Sequence, residues 1–334
     1  MNSSVVGIIA NPAAGKDIRR LVAQGRLIPN HEKTNIISRI YAGLNSIGID
    51  QVLFMPDPYD LCWNAFKSTQ FNFECEKISM PTYASDIDSV EASRIMTRSG
   101  VACIITLGGD GTNRSVAKGS LNTPIIAVST GTNNVFPEMI EGTTAGLAAA
   151  AIAKGLVDPN EVSSRRKLIE IQSTQSTNEV DTALIDLAIS NRAFIGSRAL
   201  WEPESILEIV LSQAVPGDTG ISAIGAALIP TTPDEDTGLH LKLGRGGISV
   251  KAPIVPGVIS TIGVQEYKEI KLGDQITCGY PSGTVALDGE RTINFKGDDT
   301  FGITLTRNGP TLVNVRQALH KATIEGVFSI RNQA

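Results

Sequence analysis

The sequence of 334 residues has few of the residues that build metal centres and disulfide frameworks. It contains four cysteines, none of them in a C-x-x-C pair, and three histidines that are far apart along the chain. Isolated cysteines in apolar segments are commonly buried free thiols, and zinc sites need clustered ligands. We therefore expect four free cysteines and no zinc site.

Long apolar runs and an excess of positive charge are also missing. No stretch approaches the ~18 apolar residues of a membrane-spanning helix, and the first residues lack the basic and apolar segments of a secretory signal. The net charge is −5 and the pI is about 5.4, so the chain has no basic field to attract nucleic acid or an anionic membrane. These absences predict a cytoplasmic protein that spans no membrane and binds no nucleic acid.

The first half of the sequence alternates predicted strands with predicted helices. Apolar, β-branched runs predict the strands, and apolar residues at helical spacing predict the helices. The strands are expected at 4–10, 50–57, 101–110 and 124–134, and the helices at 33–48, 85–100 and 143–155. This alternation is typical of an open parallel α/β sheet with helices on both faces.

The pattern changes at about residue 165, where the segments become short and β-like. Gly, Pro and Asp separate these segments at intervals of roughly 8–12 residues, which indicates a β-rich, sandwich-like fold. One helix is predicted among the strands, at 201–215, and the end of the chain is helical again. We therefore predict an α/β domain over 1–160, a β-rich domain over 161–314, and a helical segment over 315–334 that packs back on the first domain.

One predicted strand ends in a glycine-rich loop that holds a single carboxylate, in the sequence LGGDGTNR (107–114). Amides of a glycine-rich loop that opens a helix bind phosphate well. Asp110 would repel a phosphate, so it is expected to hold Mg²⁺ or to accept the proton of an attacking hydroxyl. The alternative is a tight turn in which Asp110 caps the helix. The spelling matches neither a dinucleotide fingerprint nor a Walker A loop.

Two more loops leave predicted strands at the same edge of the sheet. The segment ANPAAGK (10–16) follows the first strand, and STGTNNVF (129–136) follows the strand after the glycine-rich loop. Ligands of open parallel sheets bind outside the carboxyl ends of the strands. Polar residues in these loops, Lys16, Thr132 and Asn133, are therefore candidates for a binding site.

A fourth segment, VALDGER (285–291), lies in the β-rich half. Asp-Gly between alternating strands is a strong hairpin signal, and this is one interpretation. The other is chemical, because Asp288 and Glu290 form a carboxylate pair of the kind that suits Mg²⁺ and phosphoryl transfer.

The motifs NPAAGK, LGGDGTN, GTNN and LDGE, in this order, resemble those of the NAD kinase and diacylglycerol kinase superfamily, and the two ends of the chain look most like a bacterial group of ATP-NAD kinase-type proteins. The resemblance covers most of the chain. It implies an NAD kinase-like fold that binds ATP and Mg²⁺ between its domains, transfers phosphate to a hydroxyl and forms a homo-oligomer. NAD⁺ is the leading acceptor.

The resemblance also implies site residues. Asp110 and Glu290 would be catalytic, and Asp288 would be a Mg²⁺ ligand. The nucleotide and substrate would contact Asn11, Lys16, Gly108, Gly109, Gly111, Thr112, Asn113, Gly131, Thr132, Asn133 and Asp186.

Two positions depart from the patterns of the superfamily. NAD kinases usually carry an Asn-Glu or Asn-Asp pair in a later strand, whereas the matching segment ALID (183–186) has Ile185 in the Asn position and keeps only Asp186. Lipid kinases usually carry Asn-Glu after the glycine-rich loop, whereas here Arg114 follows Asn113. The LDGE motif, by contrast, matches the lipid-kinase side of the superfamily, so a lipid or other alcohol kinase is one alternative. Ile185 favours the other alternative, a nucleotide-binding regulator with degenerate catalysis.

Overall fold

The computed structural model of the protein describes residues 4–15, 24–132, 134–173, 180–192, 203–289, 291–296 and 300–329. The helices are α1 (Asn30–Ile47), α2 (Leu61–Lys67), α3 (Asp86–Arg98), α4 (Asp110–Ser120), α5 (Gly142–Ala153), α6 (Pro159–Val162), α7 (Ser222–Ala226) and α8 (Val315–Ile324). The strands are β1 (Val5–Ala10), β2 (Gln51–Phe54), β3 (Glu74–Lys77), β4 (Cys103–Gly108), β5 (Ile125–Ser129), β6 (Ser163–Arg165), β7 (Leu168–Ser173), β8 (Val180–Ala183), β9 (Asp186–Ser190), β10 (Ile206–Leu211), β11 (Thr237–Val255), β12 (Val258–Lys271), β13 (Gln275–Gly279), β14 (Ser282–Leu287), β15 (Arg291–Lys296), β16 (Thr300–Thr306) and β17 (Thr311–Val313).

The first sheet has the strand order β3-β2-β1-β4-β5-β17-β6. Its neighbouring strands are parallel except β6, which is antiparallel to β17. Along β1, Val6 and Ile8 pack on one face with α1, α2, α5 and α8, whereas Val5 and Ile9 pack on the other with α3 and α4. Strands buried on both faces need helices on both sides. The predicted open parallel α/β fold is confirmed.

Two antiparallel sheets make the second half of the molecule. One has the order β12-β11-β10-β9-β14-β15, and the other has the order β13-β16-β7-β8. Val210 and Val285 of the six-stranded sheet share a core with Ile171 and Ile303 of the four-stranded sheet. Two sheets that pack face to face around such a core form a β-sandwich. The β-rich second half predicted from the sequence is therefore confirmed.

Strands β6 and β17 join the two halves of the molecule. Leu312 of β17 pairs with Ile125 of β5, and β6 pairs with the other side of β17. Helix α8 then buries Val315 and Ala318 in the core of the first sheet. The domain boundaries at residues 160 and 314 stay predictions, and both strands lie inside the range that we assigned to the β-rich domain.

The helix predicted at 201–215 is wrong. Residues 206–211 form β10, which pairs with β9 on one side and with β11 on the other. Ile209 packs in the core on the α7 side of the sheet, and Val210 packs in the core between the two sheets. A strand buried on both faces is a continuous apolar run without period-2 alternation, so its sequence also fits a helix. Residues 201–202 lie outside the described part of the chain.

All four cysteines are free, as predicted. Cys62, Cys103 and Cys278 are buried, and Cys75 is half-buried. Burial raises the pKa of Cys103 to about 12, so this thiol is protonated at neutral pH. Within the described ranges, no helix combines the length and the hydropathy that crossing a bilayer requires.

Candidate functional site

The loops that follow β1, β4 and β5 meet at the carboxyl edge of the first sheet, because these strands are parallel neighbours. We name them loop 1 (11–15), loop 2 (108–112) and loop 3 (130–132 with 134–136). Asn11 Nδ2 donates a hydrogen bond of 2.9 Å to Thr112 Oγ1, which joins loop 1 to loop 2. The Thr130 amide donates to the Gly108 carbonyl at 3.0 Å, which joins loop 3 to loop 2. The three loops are therefore in direct contact.

Loop 1 rests on Lys33, a residue that sequence reasoning missed. Lys33 lies in the first turn of α1 and is fully buried. Its Nζ atom donates to the carbonyl oxygens of Asn11 at 2.9 Å, Pro12 at 3.2 Å and Ala14 at 2.9 Å. These bonds fix the loop and place a positive charge at its base. The sequence did contain a signal for this burial. Apolar residues follow Lys33 after three, four and seven positions, so Lys33 lies on the apolar face of the predicted helix.

Asp110 anchors loop 3 to the start of α4. It is the first residue of the helix, and Gly109 occupies the N-cap position. Its Oδ1 atom accepts hydrogen bonds from the amides of Phe136 at 2.8 Å and Val135 at 3.1 Å, and Oδ2 lies 3.2 Å from the Val135 amide. A negative charge is also stabilised at a helix N-terminus. Asp110 is thus more than a turn residue, and its catalytic role stays a prediction.

The residues that follow Asp110 in α4 hold loop 2 in place through buried contacts. Asn113 is fully buried, accepts from Thr106 Oγ1 at 2.7 Å and donates to the Gly109 carbonyl at 2.9 Å. Thr112 packs on Gly108, where an added Cβ would lie 2.4 Å from Thr112 Cβ. Gly111 is buried in the same turn. Any phosphate contact at loop 2 would therefore use backbone amides, as at other helix N-termini.

Gly109 and Gly131 lie against the side chain of Asn134. A Cβ on Gly109 would lie 2.8 Å from Asn134 Oδ1, and a Cβ on Gly131 would lie 2.3 Å from it. Asn134 Nδ2 donates to Ser129 Oγ at 2.7 Å, which holds the amide in place. Sequence reasoning chose the first asparagine of the GTNN motif, whereas this contact belongs to the second.

Two hydroxyl groups of loop 3 are buried without a hydrogen-bond partner among the described residues. They are the Oγ1 atoms of Thr130 and Thr132. Because buried polar groups are normally paired, such atoms mark a place that a ligand or a water completes. A hydroxyl can donate a hydrogen bond to a phosphate oxygen. Among the predicted site residues, Lys16, Asn133 and Glu290 lie outside the described part of the chain.

Asp288 and Gly289 form the turn of the β14–β15 hairpin. Their φ angles are positive, 51° and 67°, and β14 pairs antiparallel with β15 up to Leu287 and Arg291, so the predicted hairpin is confirmed. The Asp288 carboxylate accepts the amides of Ile185 at 2.8 Å and Leu184 at 3.1 Å, and its Oδ2 lies 3.5 Å from Arg114 Nε. These contacts suit an anchor between the two halves better than a Mg²⁺ ligand.

Burial governs the titration of Asp288 in this setting. It raises the pKa of the carboxyl group, while Arg114 and the amide donors act in the opposite direction. The carboxylate therefore depends on these partners to stay ionised.

Arg114 connects α4 to the β-rich half of the molecule. Besides Asp288, its Nη1 atom lies 3.8 Å from Asp181 Oδ1. Asp181 also pairs with Lys118 Nζ at 2.7 Å and with Arg291 Nε at 3.3 Å. The position that carries a glutamate in lipid kinases is therefore a buried cation in this chain, and it belongs to an ion-pair network across the two halves.

Ile185, in the position of the NAD kinase asparagine, is part of an apolar core. It is 1% exposed and shares a cluster with Val116 and Phe136. Asp186 is also buried, and its carbonyl oxygen accepts the Asp288 amide at 2.9 Å. The segment between β8 and β9 thus presents a packed apolar side chain at residue 185.

Asp218 is a buried carboxyl group that sequence reasoning missed. It lies between β10 and α7, and its Oδ2 atom is buried with no hydrogen-bond partner in the part of the chain that the structure describes. In the same segment, the Gly220 amide donates to the Pro253 carbonyl at 2.9 Å, which ties the segment to the β11–β12 hairpin. Burial raises the pKa of Asp218 to about 6.

We expect Asp218→Asn to stabilise the protein at pH 8 and to leave its stability unchanged at pH 4. A carboxyl group whose pKa is raised in the folded state binds its proton more tightly there than in the unfolded chain. The wild-type protein therefore loses stability as the pH rises from about 4 to about 6 and does not regain it above. Melting curves at the two pH values measure this effect. An equal change at both would show that shape, and not charge, is responsible.

Two protein-family models match the chain in succession. The model of the ATP-NAD kinase N-terminal domain matches residues 6–157, and that of the acetoin catabolism protein X C-terminal domain matches residues 167–308. Acetoin catabolism protein X of Cupriavidus necator is 36% identical over 330 residues, which are 95% of this chain and 92% of that protein. A diacylglycerol kinase structure from Bacillus anthracis str. Sterne is 12% identical, covers 94% of this chain and 97% of that one, and has a TM-score of 0.40. The superfamily resemblance read from the motifs is confirmed.

Proposed function

Because the chain belongs to the acetoin catabolism protein X family, we propose that it is an ATP-dependent kinase that phosphorylates a hydroxyl group of a small molecule. The contact of three loops at the carboxyl edge of the first sheet carries this proposal. Ligands of open α/β sheets bind at this edge, and amides at the start of a helix bind phosphate. Asp110 lies where these loops meet.

The residues around Asp110 would divide the work of phosphoryl transfer. The amides of loop 2 and the hydroxyls of Thr130 and Thr132 would hold the phosphates of ATP, and Mg²⁺ bound to those phosphates would neutralise part of their charge. Asp110 would orient the acceptor hydroxyl and take its proton. Phosphoryl transfer depends mainly on such positioning and electrostatics. Lys16 and Glu290 remain proposed members of the site.

NAD⁺ is the acceptor that we propose first, because residues 6–157 match an ATP-NAD kinase domain. The burial of Ile185 favours a second candidate, a different alcohol such as a lipid, because the side chain in that position contacts the core and offers no polar group. A nucleotide-binding regulator is the third candidate. The amide bonds to both oxygens of Asp110 support it, because they give this carboxylate a structural role.

A phosphorylation assay separates these candidates. The full chain is incubated with ATP and Mg²⁺ and, in turn, with NAD⁺, NADH, diacylglycerol and a sphingoid base, and products are identified by mass spectrometry. NADP⁺ as the product would support the first candidate, and a phosphorylated lipid would support the second. ATP binding in calorimetry without any phosphorylated product supports the regulator. A protein that neither binds ATP nor forms a product contradicts the proposal.

We expect Gly109→Val to abolish ATP binding while the protein stays folded. The new side chain would press on Asn134 Oδ1, which lies 2.8 Å from the Cβ position, and would occupy the approach of a phosphate to loop 2. Calorimetric titration with ATP measures the effect. The matched control is Gly302→Val in β16, where the Cβ position has only the Gln172 carbonyl within reach, at 4.0 Å. If the two variants bind ATP with equal affinity, loop 2 is only a turn and does not contact the nucleotide.

A further inference from the structure

Three potential metal ligands from three different strands meet at one end of the β-sandwich core. Glu208 lies on β10 and His240 on β11 of the six-stranded sheet, and Cys278 lies on β13 of the four-stranded sheet. All three are buried, and their ligand atoms lie within 4.8 Å of one another. In sequence the closest two are 32 positions apart, so the expectation of no zinc site could not anticipate this cluster.

Strand register explains why these side chains point to the same place. Val210 pairs with His240 and Glu208 pairs with Lys242, so Glu208 and His240 lie on the face of the sheet that Val210 presents to the four-stranded sheet. Cys278 belongs to the core between the two sheets and faces them from the opposite side. The cluster therefore bridges the two sheets.

Hydrogen bonds hold the Glu208 carboxylate at the centre of the cluster. The Glu208 carboxylate is hydrogen-bonded to His240 Nε2 through one oxygen and accepts a bond of 2.7 Å from the Tyr280 hydroxyl through the other. Glu208 is thus a buried carboxylate that is held by two side-chain partners, and Cys278 Sγ lies beside it.

Two other roles for the cluster fit less well. A nucleophilic cysteine must reach its substrate, whereas Cys278 is 2% exposed and closed in by both sheets. A Mg²⁺ or Ca²⁺ site would be built from oxygen atoms. Imidazole, thiolate and carboxylate together are the donor set of zinc and similar divalent ions.

We propose that Glu208, His240 and Cys278 bind one zinc-type divalent cation that cross-links the two sheets of the sandwich. On binding, the Cys278 thiol releases its proton to solvent, and the proton between His240 Nε2 and Glu208 is released to solvent or taken up at His240 Nδ1, which leaves Nε2 and the carboxylate free to bind the ion. Ligands of a tetrahedral zinc with bonds of about 2.0–2.3 Å lie roughly 3.3–3.8 Å apart, so shifts of about 1 Å suffice. Tyr280 then supports Glu208 from outside, as outer partners of metal ligands do. The fourth position remains for water.

The test uses cobalt as a spectroscopic probe on the full chain after treatment with a chelator. We expect one Co²⁺ per chain, with a thiolate-to-cobalt charge-transfer band in the near ultraviolet and displacement by Zn²⁺. Cys278→Ser should abolish that band, and both Cys278→Ser and His240→Gln should lower the affinity at least ~10-fold, the scale on which even outer partners act. The matched control is Cys75→Ser, which removes a half-buried thiol of the first domain and should leave the band intact.

The wild-type spectrum decides the question even if a variant fails to fold. Absence of a charge-transfer band at saturating Co²⁺, or a band that persists in folded Cys278→Ser, overturns the proposal. Substoichiometric cobalt that Cys75→Ser removes instead would assign the thiolate to the first domain and also overturn it. Kinase activity is not part of the readout, so the result is independent of the proposed function.

Discussion

Asp110→Asn is expected to melt close to the wild-type temperature and to lose at least ~10² of its phosphoryl-transfer turnover, the lower end of what a general base contributes. The asparagine keeps an Oδ1 atom where Asp110 accepts the amides of Phe136 and Val135, at 2.8 Å and 3.1 Å. Loop 3 therefore stays anchored while the negative charge is lost. A melting curve and a kinase assay on the same preparation measure the two effects.

Asp110→Ala is the matched control for the anchor. It removes the charge and both amide acceptors, so its melting temperature should fall below that of Asp110→Asn, because buried amides without partners are costly. If Asp110→Asn keeps full turnover, Asp110 only positions loop 3. If both variants melt equally low, the charge itself holds the loop, and the activity of neither variant reports on chemistry.

Replacing Arg114 by methionine should destabilise the protein by about 3–5 kcal/mol, because it leaves a buried carboxylate without its cation. The side chain of Arg114 is 5% exposed and that of Asp288 is fully buried, so water does not replace the lost partner. Chemical denaturation measures the free energy of unfolding. The loss should be smaller at pH 5 than at pH 8, because burial raises the pKa of Asp288 and a protonated carboxyl group needs no cation.

Lys118→Met provides the comparison within the same network. Lys118 pairs with Asp181 at 2.7 Å but is 37% exposed, so its loss should cost no more than about 1 kcal/mol. The double variant Arg114→Met with Asp288→Asn should recover part of the stability lost in the single variant, because no charge is then left unpaired. Equal losses for Arg114→Met and Lys118→Met would show that the two halves are not held together by the buried pair.

The sequence predicted the fold well where each local pattern is compatible with only one type of secondary structure. Alternating apolar strands and helices identified the first sheet, and Asp-Gly identified the β14–β15 turn. The helix predicted over β10 failed because Ile206, Ile209 and Val210 also satisfy helical spacing. Only the pairing of β10 with β9 and β11, which is a long-range property, resolves that ambiguity.

The sequence predicted the loops of the candidate site, but it did not predict the buried residues that hold those loops in place. Glycine-rich loops after parallel strands have a shared location that follows from topology. The support that Lys33 gives to loop 1 depends on how α1 packs, and a lysine in a helix is normally a solvated residue. The partnership of Arg114 with Asp288 likewise joins residues 174 positions apart in sequence (288 − 114), for which no local pattern exists.

Because β17 pairs with β5 in the first sheet, the ribosome must first make every strand of the sandwich before that sheet can close. Strand β5 ends at residue 129, whereas its neighbour β17 begins only at residue 311. At about 5–20 residues per second, the nascent chain carries an open strand edge for roughly 10–40 s. Exposed edges pair readily with other chains. Aggregation through the edge of β5 is therefore a greater problem during synthesis than afterwards, because the whole sandwich is made before β17 covers that edge.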